Sequence, residues 1–222
     1  MSALTWRLGA VFLAAAAALA AGGCQGFAWV LVQTVGPFVP EDTVEAEFKF
    51  EGKSVLILVD AKDPSLASEH PRLESNLTDQ IAKALKEKNA CGPVVPALNV
   101  RKARQAEPEF QHWSVAQAGQ YFNVDLVLHV ELMEFRLKDA PGSNVFRGYA
   151  ETAVHVVSPE TGEQVWPVLA AARLVTAETV PDQTTDEVTR QEAILTEGLG
   201  GKIARHFYTY KVADAPLRPK VK

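Results

Sequence analysis

Five consecutive apolar residues, Val55-Leu56-Ile57-Leu58-Val59, stand inside "KSVLILVDA" with polar neighbours on both sides. A strand with one wet face alternates apolar and polar residues, so an unbroken run of this length is the mark of a strand buried on both faces. The chain is 222 residues long, enough for one ordinary domain and a tether.

The flanking patterns extend that strand into a fold. Leu73, Leu77, Ile81 and Leu85 recur every fourth residue and form one apolar stripe. Pro71 suits the first turn, Lys83, Lys86 and Lys88 complement the C-terminal end of the dipole, and Gly92-Pro93 stops the helix, which is expected over 71–89. "VVPALNV", 94–100, reads as a second short strand that Pro96 confines to an edge. Ser114 and Gln117 form a capping box that opens a short helix with Val115, Ala118 and Phe122 inward. Alternation then predicts three antiparallel strands at 124–137, 145–158 and 163–177, the first two joined by a turn at 138–144. Between the last two, Gly162 in "SPETGE" supplies the positive φ of a tight hairpin. Thr184 and Glu187 make another capping box before a helix striped by Val188, Leu195, Leu199, Ile203 and Phe207, with a kink expected near Gly200. The resulting order, β-α-β-α-β-β-β-α, predicts an α+β two-layer sandwich: a mixed sheet with helices packed mainly on one face. Trp113 and Trp166 either pack in this domain or mark a binding surface.

The N-terminus answers a different question. Arg7 is the only charge before an uncharged run from Leu8 to Gly23, too short to span a bilayer comfortably and followed by small residues, which is a secretory signal pattern. Ala21, Gly22 and Gly23 lead directly into Cys24. This resembles the lipobox of bacterial lipoproteins, with Ala21 where an aliphatic residue such as Leu is usual. The resemblance implies that Cys24 becomes the acylated first residue of the mature chain, held on a membrane by palmitate-type chains. Gln25, where inner-membrane retention uses Asp, implies the outer membrane, facing the periplasm. The second apolar stretch, 26–40, is broken by Gly36, Pro37 and Pro40. It either lies in the membrane interface with Phe27 and Trp29 or packs on the domain as a strand or arm. The expected organisation is a signal peptide at 1–23, a lipid-proximal segment and linker at 24–45, the α+β domain at 46–209 and a basic tail at 210–222.

From Cys24 onward the chain carries 21 basic and 27 acidic residues, a net charge of −6, which argues against a general nucleic-acid binder. With Cys24 modified, Cys91 has no intramolecular partner and no disulfide framework is implied. The buried strand, the amphipathic helix, "AQAGQYFNVDLVLHVEL" and the hairpin "VVSPETGEQVW" together resemble a class of periplasmic lipoprotein domains. That class includes curli-secretion channel lipoproteins, lipoprotein activators of penicillin-binding proteins and the TolB amino-terminal domain. Asn123-Val124-Asp125 occupies a step that is Gly-Ala-Asp in other members, and Thr161, Gly162, Glu163, Val165 and Trp166 form the second match. The resemblance covers residues 50 to 207 and implies partner binding or assembly in the envelope rather than catalysis; the chain lacks an inserted hairpin long enough for a secretion pore.

Few side chains suggest chemistry. His129 and His155 fall on adjacent predicted strands, opposite each other, with Glu131 and Glu151 on the same face, and form the nucleus of a metal site or a solvated sheet surface. Asp60 and Asp63 follow the buried strand, where α/β enzymes often place carboxylates, but no phosphate loop accompanies them and capping is the default role. Cys91 has no base identifiable beside it, and GxSxG, HExxH and CxxC are all absent. The expectation is a non-enzymatic, lipid-anchored envelope protein without a cofactor, binding an envelope protein or glycan near the membrane. The alternatives are a metal-binding or enzymatic domain using the His129/His155 face, and a structural subunit of an envelope complex, with a homo-oligomer among the forms it could take.

Overall fold

The computed structural model describes residues 42–138, 146–180 and 188–212. Cys24, the apolar stretch 26–40, most of the 138–144 turn, the Thr184/Glu187 box and the end of the basic tail lie outside them.

A mixed sheet forms the frame. Strand β2 (Val55–Ala61) runs parallel to β3 (Leu126–Lys138), and β3 runs antiparallel to β4 (Phe146–Val157). Beyond β4 lie β5 (Gln164–Trp166) and β6 (Arg173–Glu178), both antiparallel to it. They occupy the lane expected of one strand over 163–177, interrupted by residues 167–172. A two-residue strand, β1 (Thr43–Val44), pairs with β7 (Tyr210–Lys211).

Helices α1 (Pro64–Glu69), α2 (Leu73–Glu87), α3 (Ala97–Ala106) and α4 (Val115–Tyr121) lie between β2 and β3, and α5 (Val188–Ala204) follows β6. The main core joins alternate residues of the sheet, such as Ile57, Leu128, Val130 and Val154, to the stripe of α2 and to Leu195, Leu199 and Ile203 of α5. Leu77, Ile81 and Leu85 are completely buried, and each contributes about 1.5–3 kcal/mol over exposure. Helix α5 is one element through its glycines, and Gly200, where a kink was expected, rests against Gln80 and Ile81 of α2.

The other face is divided. Over β2 it is apolar: Leu56, Leu58 and Val127 pack on Val100 and Ala103 of α3, Phe110 of a short 3-10 turn and Ala118 of α4. Strand β2 is therefore buried on both faces, as its sequence predicts. The expected strand at 94–100 is corrected: only Val94 bridges to Val55, and the chain then turns into α3. Pro96 is the extended N-cap of that helix, and Ala97, Val100 and Ala103, three residues apart, are its buried side. The capping box at Ser114 and Gln117 forms as expected, and Gly162 has φ of 74°. Asn123 carries the positive φ (50°) that a Gly would tolerate, while Asp125 accepts from the backbone N–H and hydroxyl of Ser54 at 2.7 and 2.6 Å, pinning the start of β3 to the start of β2. Both tryptophans take packed positions: Trp166 is buried in the main core and Trp113 lies on Phe110.

Between Leu132 and Glu134 the β3–β4 register slips by one residue. The core-facing residues of β3 therefore change from the even series ending at Leu132 to Phe135 and Leu137. The far half of the second face is left to polar residues.

Candidate functional site

The polar half of the second face holds a connected row of side chains. Asp60 sits near the C-terminal end of β2, and His129 and His155 are direct cross-strand partners on β3 and β4. Nε2 of His129 lies 2.9 Å from Oδ2 of Asp60, and its Nδ1 lies 3.3 Å from Nε2 of His155. Arg104 of α3 closes the other end. It donates to Oδ1 of Asp60 at 2.6 Å, to the Val59 carbonyl at 2.9 Å and to the Glu74 carboxylate. Glu74 also accepts the Ala61 backbone N–H at 3.2 Å, which ties α2 to the row.

Burial raises the Asp60 carboxyl, but the His129 hydrogen bond, with the Arg104 and His129 charges, outweighs it and holds the group below the usual carboxylate value. An ionised Asp60 only accepts, so His129 donates to it through Nε2. The other ring nitrogen of His129, Nδ1, faces Nε2 of His155. Desolvation, with the neighbouring His129, pushes His155 down to about 4. This arrangement orients both imidazoles. Among the described residues, however, no group of three or more His, Cys, Asp or Glu side chains converges as a metal would require.

The depressed His155 value has a measurable consequence. The unfolded chain binds a proton near pH 6.5 and the folded chain only near 4, so stability is lost as pH falls through that window. The loss is about 1–2 kcal/mol after discounting for partial exposure. Urea midpoints measured at about pH 7 and about pH 4 should converge in His155→Gln relative to the native chain; an equal pH slope in both would contradict this assignment.

The remaining candidates fall elsewhere. Asp63 accepts from the backbone of Ser65 at 2.9 Å and caps α1, and that hydrogen bond lowers its carboxyl. Cys91 is half-buried, and desolvation raises its thiol despite Lys86, which disfavours the thiolate. Glu151 accepts from the hydroxyl of Tyr149 at 2.8 Å and lies opposite Glu134, so it does not join the two histidines. Arg104 and Glu74 complete the row, and sequence reading singles out neither: the strand expected at 94–100 leaves Arg104 without an element, and Glu74 reads as one acidic residue in the first turn of its helix.

A second site was not visible in sequence because three distant segments build it. A cleft of about 420 Å³ runs along β6, lined by Glu45 and Glu47 before β2, Arg173 and Thr176 of β6, and Lys202 and Arg205. Oε1 of Glu47 takes both Nη2 of Arg173, at 3.0 Å, and Nδ1 of His206, at 2.8 Å. Strand β6 pairs only with β4 among the described residues. Thr179 donates to Gly148 and the Val175 carbonyl accepts from Thr152, so odd-numbered residues turn their backbone toward β4. Leu174, Thr176 and Glu178 turn theirs outward, and the Thr176 carbonyl accepts Nζ of Lys202 at 2.9 Å.

Fold and cleft together define an α+β sandwich domain with a charged cleft along one sheet edge. No protein-family model and no curated protein matches the chain. Among solved structures it is similar to a PelC dodecamer from Paraburkholderia phytofirmans, at 10% identity and TM-score 0.45 over 77% of this chain and 99% of that one. It is also similar to protein XCC0632 from Xanthomonas campestris, at 13% identity and TM-score 0.46 over 75% and 86%. A third likeness is to lipoprotein GNA1162 from Neisseria meningitidis, at 16% identity and TM-score 0.40 over 68% and 97%. Likenesses this distant carry no function to this chain.

Proposed function

We propose that the chain is a non-enzymatic, lipid-anchored envelope protein, attached through Cys24 to the outer membrane on its periplasmic side, whose domain binds a partner protein by strand addition along β6. The observation that carries the reading is the outward-facing backbone of Leu174, Thr176 and Glu178 beside a cleft of about 420 Å³. The signal pattern and Cys24 support the anchor, and the cations Arg173, Lys202 and Arg205 favour a partner segment with acidic side chains.

A single substitution tests it. Thr176→Pro removes an N–H that faces away from β4, so the β4–β6 ladder survives while an incoming strand loses a hydrogen bond and meets the ring. Partners captured from solubilised membranes by the native chain should fall by about tenfold with Thr176→Pro, at an unchanged circular dichroism spectrum. Full capture by the variant would rule out this edge as the binding surface.

A further inference from the structure

The segment between β5 and β6, "PVLAAA", is the most exposed apolar surface among the described residues: Val168 is 83% and Leu169 98% accessible. Residues 167–172 contain no polar side chain. The segment is also braced. The Gln164 amide donates to the carbonyls of Pro167 and Ala170, at 2.7 and 2.8 Å, so two backbone acceptors at the tip are already satisfied. An apolar tip whose carbonyls are bonded internally is suited to a medium without water, where unpaired backbone groups are costly.

Its position in the fold points to the same medium. Both ends of the tip pack on the place where the chain enters the domain. Trp166 lies 5.7 and 5.1 Å from the rings of His206 and Phe207, and the His206 carbonyl accepts the backbone N–H groups of Glu47 and Phe48. Arg173, at the other end, pairs with Glu47. The 18 residues between Cys24 and Thr43 reach at most about 60 Å even when extended. That tether joins the domain at Thr43, and Val44, Glu45 and Glu47 lie with Arg173 at one end of the tip. Arg173, Lys202 and Arg205 line the neighbouring cleft together with Glu45 and Glu47, and cations near a membrane surface are drawn to anionic headgroups.

We propose that the tip at Val168-Leu169 inserts into the lipid interface of an anionic membrane and fixes the orientation of the anchored domain, with the β6 cleft held next to the headgroups. The proposal rests on the Cys24 anchor. An apolar tip this small orients a tethered domain but does not hold one by itself.

The test uses the full-length lipidated chain in vesicles of phosphatidylethanolamine and phosphatidylglycerol. Leu169→Cys is labelled with a polarity-sensitive fluorophore in a Cys91→Ser background, since Cys24 is blocked by its acyl group. Leu98→Cys serves as control, because Leu98 is exposed on α3, near the opposite edge of the sheet. The label at 169 should shift to shorter wavelength and be quenched about twofold or more by spin-labelled lipid, while the label at 98 stays unchanged. If the chain floats with vesicles but the label at 169 reports water, tip insertion is wrong and the anchor stands. If the unlabelled chain does not float at all, the anchor fails and the tip proposal fails with it. Shielding at 169 that appears without lipid and grows with protein concentration assigns the tip to a second copy of the chain and overturns the membrane reading.

Discussion

Cys24→Ser is expected to move the protein from the membrane fraction to the soluble fraction, changing its partition by a factor of about a hundred or more. Each acyl methylene buried in lipid contributes about 0.8 kcal/mol, so two or three chains hold a protein essentially permanently, and a serine hydroxyl offers no thiol for their attachment. Gly22 and Gly23 already weaken the preceding run as a helix, and the charge-free stretch from Leu8 to Gly23 is too short to replace the lipid as a stable span. The measurement is sedimentation of membranes with and without the substitution, combined with the mass of the mature chain. Retention of Cys24→Ser on the membrane at precursor mass would mean that an uncleaved leader is the anchor. Retention at the processed mass would transfer that role to "GFAWVLVQTVGPFVP".

The strand Val55–Ala61 shows how far local pattern can be read. Its unbroken apolar run requires cover on both faces, and the structure supplies both. The long helix, the antiparallel β3–β4 pair and the His129–His155 pairing were also legible, because each follows from periodicity and strand register. The element that covers the second face was not. Residues 94–100 were expected to form a strand, since "VVPALNV" is β-branched at its start and Pro96 reads as an edge signal, and residues 101–106 were given no element. Two clues pointed the other way: Ala97, Val100 and Ala103 share one helical face, and a strand buried on both sides needs a second layer. Losing α3 also concealed the Arg104 end of the polar row. The β6 cleft was hidden for another reason. Glu47, Arg173 and Lys202 are separated by well over a hundred residues in places, and no local rule predicts their convergence. The β3 bulge is of the same kind, a tertiary adjustment that moves Phe135 and Leu137 onto the core face.

Gly92→Ala is expected to cause the largest loss of stability of any single methyl addition in the domain, about 3–5 kcal/mol, or about 10–15 °C in the melting midpoint. Sequence assigns Gly92 to stopping a helix, and the structure gives it a second task. A Cβ there would lie 2.1 Å from the Gly52 carbonyl oxygen and 2.9 Å from both the Gly52 carbonyl carbon and the Lys53 oxygen. All three are backbone atoms, so no rotamer change relieves the clash. The segment must move away from the start of β2, breaking Gly92 N–H to Lys53, Val55 N–H to Pro93 and Val95 N–H to Val55, bonds of 2.9, 2.9 and 3.0 Å. Each such bond contributes about 1 kcal/mol, and Val94 and Val55 lose burial as well. Gly198→Ala and Gly201→Ala are the comparison, since nothing lies within 4 Å of either added methyl group. Both sit inside α5, where Ala exceeds Gly by about 0.5–1 kcal/mol, so their midpoints should rise by about 2 °C. A melting midpoint for Gly92→Ala within about 3 °C of the native chain would mean that the approach of Gly92 to Gly52 is not a fixed feature of the fold, and that the outer lane beside β2 can shift without cost.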